Sequence, residues 1–282
     1  MILCKRWASP LTKFSLGYLL FLSSTQANYS YITPENIEKA KQGDSFYQRQ
    51  LADEYCKKGE YQESLYWLEH KAEQTEAPSD QEKVAEAYYK GTCQPYSLNS
   101  IQQFPKDYRK ALEWYYRVTS NPKVKDTHYY YSARFRIADI YNFGEGGIEK
   151  NGVAARRIYE EIANIPDAFL KPVKDSEEID KLVITEFRGN ARHRLAQMYY
   201  FGNFVRQDDK KVFEWGLKAW QDGSQYGGTV AAVVQYQTRE HFQNKKAATE
   251  LMGDICDKSG HSQACEWYQD MRANRPLRKG SL

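Results

Sequence analysis

The stretch from Leu195 to Trp215 reads L-A-Q-M-Y-Y-F-G-N-F-V-R-Q-D-D-K-K-V-F-E-W. It opens with an aliphatic residue and a tyrosine four positions apart, which share one helix face, and an alanine beside them lets a neighbouring helix approach closely. Gly202 can adopt the left-handed conformation that ends a helix, and Asp208 can cap the start of the next one. Val205 can fill the gap between the two helices. The stretch therefore predicts a pair of helices joined by a short loop.

The same pattern recurs along the chain. The aliphatic residue, the small residue and the tyrosine return at Leu51-Ala52-x-x-Tyr55, Val84-Ala85-x-x-Tyr88, Ile137-Ala138-x-x-Tyr141, Leu195-Ala196-x-x-Tyr199 and, more loosely, Ala232-Val233-x-x-Tyr236. Each is followed by a second amphipathic stretch with a small or β-branched residue three positions before a large one: Ser64 to Trp67, Ala111 to Trp114, Ala155 to Ile158, Val212 to Trp215 and Ala248 to Leu251. Repeated helix pairs stack on one another, so the sequence predicts an all-α fold, an α-α superhelix (solenoid) of about five repeats with a C-terminal capping helix.

Turn residues set the predicted boundaries of these units. Thr33-Pro34 has a cap residue followed by proline at the first helical position, which predicts an N-terminal capping helix within residues 28–44. The solenoid is expected over 45–274. It comprises repeats at about 45–78, 79–122, 129–166, 188–224 and 225–260, an insertion at 166–187 with a loop and an extra helical turn or two, a cap at 262–274, and then a basic tail, 275–282.

The first 27 residues have the features of an export signal. Lys5, Arg6 and Lys13 precede an apolar run from Phe14 to Leu22, and Thr25-Gln26-Ala27 supplies small residues before a cleavage site. A membrane anchor needs roughly 20 apolar residues, and this run is much shorter. We therefore expect a signal peptide cleaved after Ala27 and a periplasmic or secreted mature chain with no membrane anchor.

Charge balance argues against two classes of partner. Of the 40 basic residues three lie in the leader, so the mature chain has 37 basic and 37 acidic residues. Such a balance gives no electrostatic footprint for nucleic acid or for an anionic membrane. We expect neither as a partner.

Four cysteines remain after the leader: Cys56, Cys93, Cys256 and Cys265. An even number in an oxidising compartment indicates two disulfides, for which three connectivities exist. Stacking brings the corresponding ends of successive repeats together, which favours Cys56 with Cys93, and the turn after Cys256 favours its pairing with Cys265. Free buried thiols are the alternative.

The stretch from Leu195 to Trp215 resembles a Sel-1-like repeat, the helix-pair relative of the tetratricopeptide repeat. Gly43-Asp44, Gly189-Asn190-Ala191 and the segment from Gly260 to Ala264 resemble the turn between repeats of that family. The resemblance covers most of residues 40–270, although Phe204 occupies the position of the family's second loop glycine. The turn between Cys256 and Cys265 is similar to the disulfide-stapled form in secreted bacterial cysteine-rich members.

The resemblance implies a protein-interaction scaffold or adaptor. Exported bacterial members are associated with envelope assembly, host contact or immunity against secreted toxins, so a periplasmic immunity protein is one form of this role. We expect a monomer that binds a protein partner in a groove lined mainly by one helix of each pair. Tyrosines suit such a surface because they offer large contact area at small entropic cost. The candidate contact residues are Tyr89, Tyr116, Tyr129, Tyr130, Tyr200 and Tyr226, each of which could instead pack on a neighbouring repeat.

The alternative is a cell-envelope β-lactamase or penicillin-binding hydrolase of the cysteine-rich repeat type. Ser120-x-x-Lys123, Ser97-x-Asn99 and Lys258-Ser259-Gly260 imitate the three motifs of serine penicillin-recognising enzymes, but in the wrong order and on the wrong elements. The histidines show no metal-ligand spacing: His70, His128, His193, His241 and His261. The sequence therefore predicts a non-enzyme with no catalytic residues, no metal site and no cofactor.

Overall fold

The computed structural model describes residues 30–97, 101–172, 174, 177–238, 241–260 and 262–277. The predicted signal peptide and its cleavage site lie outside the described residues, as do Asn99, His261 and residues 278–282 of the basic tail. Among the described residues every regular element is a helix. The helices are α1 Pro34–Lys41, α2 Ser45–Lys58, α3 Tyr61–Thr75, α4 Pro78–Lys90, α5 Tyr108–Ser120, α6 His128–Phe143, α7 Gly152–Ala163, α8 Asp167–Leu170, α9 Glu178–Phe201, α10 Asp209–Gln221, α11 Gln225–Gln237, α12 Lys245–Ser259 and α13 Ser262–Arg272.

The helices pack mainly against their neighbours in sequence. We call α2, α4, α6, α9 and α11 the first helices, and α3, α5, α7, α10 and α12 the second helices. Each first helix packs on the second helix that follows it, while α1 and α13 flank the stack. The predicted all-α superhelix of five helix pairs with a C-terminal capping helix is confirmed.

The residues of the repeat motif form the apolar core. The aliphatic and small positions of the first helices and the small positions of the second helices are all at most 2% exposed: Leu51, Ala52, Val84, Ala85, Ile137, Ala138, Leu195, Ala196, Ala232, Val233, Ser64, Ala111, Ala155, Val212 and Ala248. Small side chains at both positions let the two helices of a pair approach closely.

The loop between α9 and α10 follows the sequence prediction. Gly202 ends α9 with φ of 71°, and the side chain of Asp208 accepts a hydrogen bond from the Lys211 amide at 3.0 Å. Phe204 also has positive φ, 59°, although it is not glycine. Its ring lies against Gly152 at the start of α7, where a Cβ atom would be 1.9 Å from the ring. Phe204 therefore packs this loop onto the preceding repeat.

The segment before repeat four differs from the prediction. Helix α9 begins at Glu178, ten residues before the expected start of the repeat, and continues without a break to Phe201. Gly189, which resembled part of an inter-repeat turn, is a buried residue inside this helix. Packing explains the glycine, since a Cβ atom there would lie 3.0 Å from the Cβ of Asp222.

Arg188 holds this long helix against two neighbouring segments. Its Nε donates to Oδ2 of Asp222 at 2.9 Å, and its Nη1 donates to the carbonyl of Ile165 at 2.9 Å and to Asp167 at 2.6 Å. Arg192, one turn later, donates to Asp222 at 2.6 Å and to the carbonyl of Ala163 at 3.0 Å. The two arginines thus tie α9 to the ends of α7 and α10.

Both disulfides have the favoured pairing. Cys56 on α2 is bonded to Cys93 in the loop after α4, with Cα atoms 6.0 Å apart. Cys256 on α12 is bonded to Cys265 on α13, with Cα atoms 4.7 Å apart. One bond joins repeats one and two, and the other joins repeat five to the cap. None of the helices among the described residues is both long and apolar enough to cross a bilayer.

Candidate functional site

Ion pairs connect successive first helices. Nε of Arg136 on α6 donates to Glu86 on α4 at 2.8 Å, and Nε of Arg194 on α9 donates to Asp139 on α6 at 2.9 Å. Lys83 on α4 and Asp53 on α2 form a more exposed pair at 3.7 Å. In each pair the acid lies two positions after the aliphatic residue of one motif. The base lies one position before the aliphatic residue of the next motif. We call these three the inter-repeat ion pairs.

Buried tyrosines of the second helices complete two of these pairs. Tyr115 donates to Glu86 at 2.7 Å, and Tyr159 donates to Asp139 at 2.6 Å. Burial raises the pKa of both phenols well above the ordinary value, so they act as hydrogen-bond donors. Burial alone would raise the pKa of Glu86, but Arg136 and Lys90 outweigh it and hold that pKa below the ordinary value. These groups are therefore structural and already partnered.

The ion-pair pattern stops between repeats four and five. Gln197 stands where the acid would be, Ala231 where the base would be, and Gly216 where the tyrosine would be. A Cβ atom on Gly216 would lie 2.7 Å from the carbonyl oxygen of Gly227 and 3.0 Å from the Cβ of Ala231. Direct contact between α10 and α11 replaces the polar connection at this junction.

Two neighbouring cavities lie in the C-terminal half, and the first helices α9 and α11 contribute to both. The central cavity, about 460 Å³, is lined by residues of α6, α9 and α11: Phe135, Arg136, Asp139, Asn190, His193, Arg194, Gln197 and Tyr226. The C-terminal cavity, about 440 Å³, is lined by residues of α9, α11, α12 and α13: His193, Gln225, Tyr226, Thr229, Val230, Ile255, Ser259, Ser262, Gln263, Ala264 and Trp267. Both volumes lie in the range of small-molecule and side-chain binding sites.

His193 and Tyr226 line both cavities. Their rings are stacked with centroids 5.8 Å apart and an angle of 21° between the ring planes. Burial, with a smaller contribution from the Arg194 charge, lowers the pKa of His193 to about 4, so the imidazole is neutral near pH 7. Its Nε2 atom is buried and has no hydrogen-bond partner among the described residues. Gln263 lines the C-terminal cavity, and its Nε2 atom is likewise buried without a hydrogen-bond partner among the described residues.

The six predicted contact tyrosines occupy different environments. Tyr226 is 63% exposed at the two cavities. Tyr89 packs against Tyr108 and Tyr115 beneath the Arg136 guanidinium. The other four are partly or largely exposed away from these cavities: Tyr116 shares a hydrogen bond with Tyr141 at 2.8 Å, Tyr129 contacts His128 with its ring tilted, Tyr130 donates to Glu161 at 3.1 Å, and Tyr200 contacts Phe201.

The serine motifs do not assemble. Ser120 is the last residue of α5 and Lys123 lies in the following turn, whereas Lys258 and Ser259 end α12, three repeats later. The hydroxyl of Ser259 donates to the carbonyl of Ile255 at 2.7 Å within its own helix. Within the described ranges no group of three or more His, Cys, Asp and Glu residues is placed to hold a metal ion.

Sequence reasoning missed the inter-repeat ion pairs and the cavity residues His193 and Gln263. A signal for the ion pairs was present, since the base and the acid occupy fixed offsets from the aliphatic residue in successive motifs. The C-terminal cavity had no local signal, because His193 on α9 and Gln263 on α13 line it together only through the stacking of the helices between them.

The fold is similar to that of solved proteins. A Sel1 repeat protein from Oxalobacter formigenes superimposes with a TM-score of 0.51 at 13% identity, over 84% of this chain and 79% of the other. Two further structures give TM-scores of 0.40. One is a protective antigen of uropathogenic Escherichia coli strains with an SLR fold, at 17% identity over 86% of this chain and 52% of that protein. The other is a candidate Sel1-repeat protein from Klebsiella pneumoniae, at 19% identity over 85% and 98%.

Sequence comparison adds nothing to this likeness, since no family model and no curated protein matches the chain. Identities this low establish the fold alone. This chain has the fold of Sel1-repeat proteins, a solenoid of stacked helix pairs.

Proposed function

We propose that the protein is an exported interaction scaffold that binds a segment of a partner protein along the first helices of repeats three to five. The observation that carries this proposal is the pair of adjoining cavities, which share the His193–Tyr226 stack and are both lined by the first helices α9 and α11. A partner segment crossing that stack would fill both cavities. Tyr226 would be the central contact because it is large, exposed and reached from both sides.

The charge arrangement supports binding over catalysis. Arg136, Asp139 and Arg194 line the central cavity, but each is already engaged in an inter-repeat ion pair. Such pairs give the site a rigid polar wall with little net charge. A rigid wall favours binding because a partner then orders few side chains of the scaffold.

Export is part of the proposal. Two disulfides are typical of proteins that fold in an oxidising compartment. With the basic and apolar leader of residues 1–27, they support a periplasmic or secreted mature chain that begins at Asn28. Mass spectrometry of the protein recovered outside the cytoplasm tests this point, and an intact leader would contradict it. Immunity against a secreted toxin is the specific adaptor role that we propose for this location.

The binding proposal is tested by affinity capture with the tagged mature chain from an extract of the cell envelope and medium. We expect one stoichiometric protein, retained by the wild type and strongly reduced for Tyr226→Ala. The matched control is Tyr66→Ala, since Tyr66 is 46% exposed but lies on the second helix α3. Equal capture by both variants and the wild type would overturn the proposed site. A captured toxin whose activity falls on addition of the scaffold would support the immunity role.

A further inference from the structure

We infer that the central cavity is a subsite for an acidic side chain of the bound partner segment, whose carboxylate is held by the guanidinium of Arg136. This inference rests on the proposed scaffold function and specifies what one part of the binding surface takes. It follows from three observations: the fixed position of this guanidinium, its two nitrogen atoms that have no partner, and the charges of the ion pairs around it.

The guanidinium of Arg136 is held in place by its own neighbours. Its Nε donates to Glu86 at 2.8 Å, and its central carbon lies 4.8 Å from the centre of the Tyr89 ring. The same side chain lines the central cavity. A group that is already fixed loses little conformational freedom when a ligand binds to it, so Arg136 is suited to recognition.

Two nitrogen atoms of this guanidinium are left for a ligand. Nη1 and Nη2 of Arg136 make no hydrogen bond to any described residue, and neither belongs to the fully buried atoms that lack a partner, so both are accessible. Arg194, which also lines the cavity, differs, because its Nε and Nη2 donate to Asp139 and its Nη1 donates to Gln197. The two Nη atoms of an arginine form a planar fork that matches the two oxygen atoms of a carboxylate. A neutral carbonyl group offers only one oxygen atom and no charge.

The ion pairs around Arg136 favour a ligand with a single negative charge. Arg136 and Lys90 each lie 2.8 Å from Glu86, and Arg194 lies 2.9 Å from Asp139. Within these pairs three cations face two carboxylates, which leaves an excess of one positive charge. The carboxylate of an acidic side chain balances this excess. A phosphate ester carries about −1.5 to −2 charges, and Glu86 and Asp139 would oppose the additional charge.

The depth of Arg136 favours a side-chain carboxylate over the end of a chain. Only 25% of the Arg136 side chain is exposed, so its guanidinium is recessed in the cavity. The methylene groups of an aspartate or glutamate let the carboxylate reach this depth while the backbone of the partner stays outside. Phe135 and Tyr226 line the same cavity and offer apolar surface to those methylene groups. A C-terminal carboxylate is attached directly to the backbone, which would itself have to enter.

The test uses the disulfide-bonded mature chain with N-acetyl-glutamate amide as the probe, and N-acetyl-glutamine amide as its neutral isostere. Binding is followed by NMR through the side-chain amides of Asn190 and Gln197, which line the cavity. For a ligand of this size we expect a Kd of about 2 mM for the glutamate probe and roughly 10-fold weaker binding of the glutamine probe. Equal affinity for the two probes would overturn the inference, as would a lack of saturation by about 20 mM glutamate probe.

A third probe tests the source of the carboxylate. N-acetyl-alanine has its only carboxylate at the chain end, and we expect it to bind no better than the glutamine probe. An affinity equal to or above that of the glutamate probe would assign the cavity to a C-terminus and overturn the assignment to a side chain.

A conservative variant tests the role of Arg136. Arg136→Lys keeps the positive charge beside Glu86 but removes the fork, so it should lose most of the preference for the glutamate probe. The matched control is Arg134→Lys, because Arg134 lies on the same helix, is 22% exposed and pairs with Glu161, and neither of these residues lines the cavity. The control should keep the wild-type preference within about twofold. An unchanged preference in a folded Arg136→Lys variant contradicts the subsite.

The outcomes separate this inference from the scaffold proposal. If Tyr226→Ala reduces partner capture while the glutamate probe fails to bind the wild type, the scaffold stands and the acidic subsite falls. If the probe binds with the expected preference while Tyr226→Ala leaves capture intact, the proposed binding surface falls.

Discussion

Arg194 and Asp139 are 55 residues apart in sequence, yet Nε of Arg194 donates to Oδ1 of Asp139 at 2.9 Å and Nη2 donates to Oδ2 at 3.3 Å. Asp139 is almost fully buried and also accepts from Tyr159. The pair joins the first helices of repeats three and four beside the central cavity. The stacking of the solenoid and the shape of the proposed binding surface therefore depend on the same contact.

Removal of the Asp139 carboxylate tests this contact. Asp139→Ala leaves the Arg194 guanidinium bonded to Gln197 but without its counter-charge, and it removes the acceptor of the Tyr159 hydroxyl. We therefore expect the free energy of unfolding to fall by about 3 kcal/mol, a value kept at the lower end because Arg194 is partly exposed. Asp139→Asn should cost less, since its amide oxygen can still accept from Tyr159. Urea unfolding measures both, with the exposed Glu149→Gln as control. A loss below about 0.5 kcal/mol for Asp139→Ala would contradict the structural role.

Arg188 provides a second test, because its guanidinium donates hydrogen bonds to Asp222, to Asp167 and to the carbonyl of Ile165. Lysine keeps the charge but cannot bond Asp222 through two nitrogen atoms while also reaching the carbonyl of Ile165. We expect Arg188→Lys to lower the free energy of unfolding by about 2–3 kcal/mol. The exposed Arg157→Lys, measured by the same urea titration, should stay within about 0.5 kcal/mol of the wild type. Similar values for the two variants would show that the charge of Arg188 suffices.

The two disulfides should differ in their contributions to stability. Cys56 and Cys93 are separated by 37 positions, and Cys256 and Cys265 by 9. Loop-closure entropy then predicts a loss of about 4 kcal/mol on removing the first bond and about 2.5 kcal/mol on removing the second. Paired Cys→Ala variants, compared by chemical unfolding, measure the order. A larger loss from the Cys256–Cys265 bond would refute the entropic ranking.

His193 should make stability depend on acid pH. Its pKa is about 4 in the folded protein, against an ordinary value of 6.5 for a histidine in an unfolded chain, so the unfolded state binds more protons between these values. The free energy of unfolding therefore falls as pH is lowered from about 6.5 to about 4, by up to roughly 3 kcal/mol from this group. His193→Gln should reduce that fall relative to the wild type in urea titrations at about pH 7 and about pH 4.5. A slope in His193→Gln identical to that of the wild type would contradict the burial effect.

The sequence predicted the helix pairs because the information for them is local. Leu195 and Tyr199 lie on one helix face and Gly202 ends that helix, all within eight positions. The role of Gly189 could not be predicted in the same way, since a glycine suits a turn or a close helix contact, and only the position of Asp222 decides between them.

The candidate site was harder to predict than the fold. Tyrosine abundance suggested a binding surface, and Tyr226 does line both cavities, but Tyr89 is packed among other rings. Sequence spacing alone cannot separate these two outcomes, because burial depends on the angle between successive repeats. Gln263 had no pattern to mark it, since its environment comes from residues on three other helices.

The positions of the disulfides have a mechanical consequence. A one-dimensional stack ordinarily frays from its ends, because a terminal repeat has only one neighbour. Here Cys56–Cys93 links the first two repeats and Cys256–Cys265 links the cap to the fifth, so the first repeat and the cap cannot separate from their neighbours as whole units. Opening between whole repeats is thereby shifted inward, and a protease acting on the folded repeats should find its first cut between them in the middle of the solenoid.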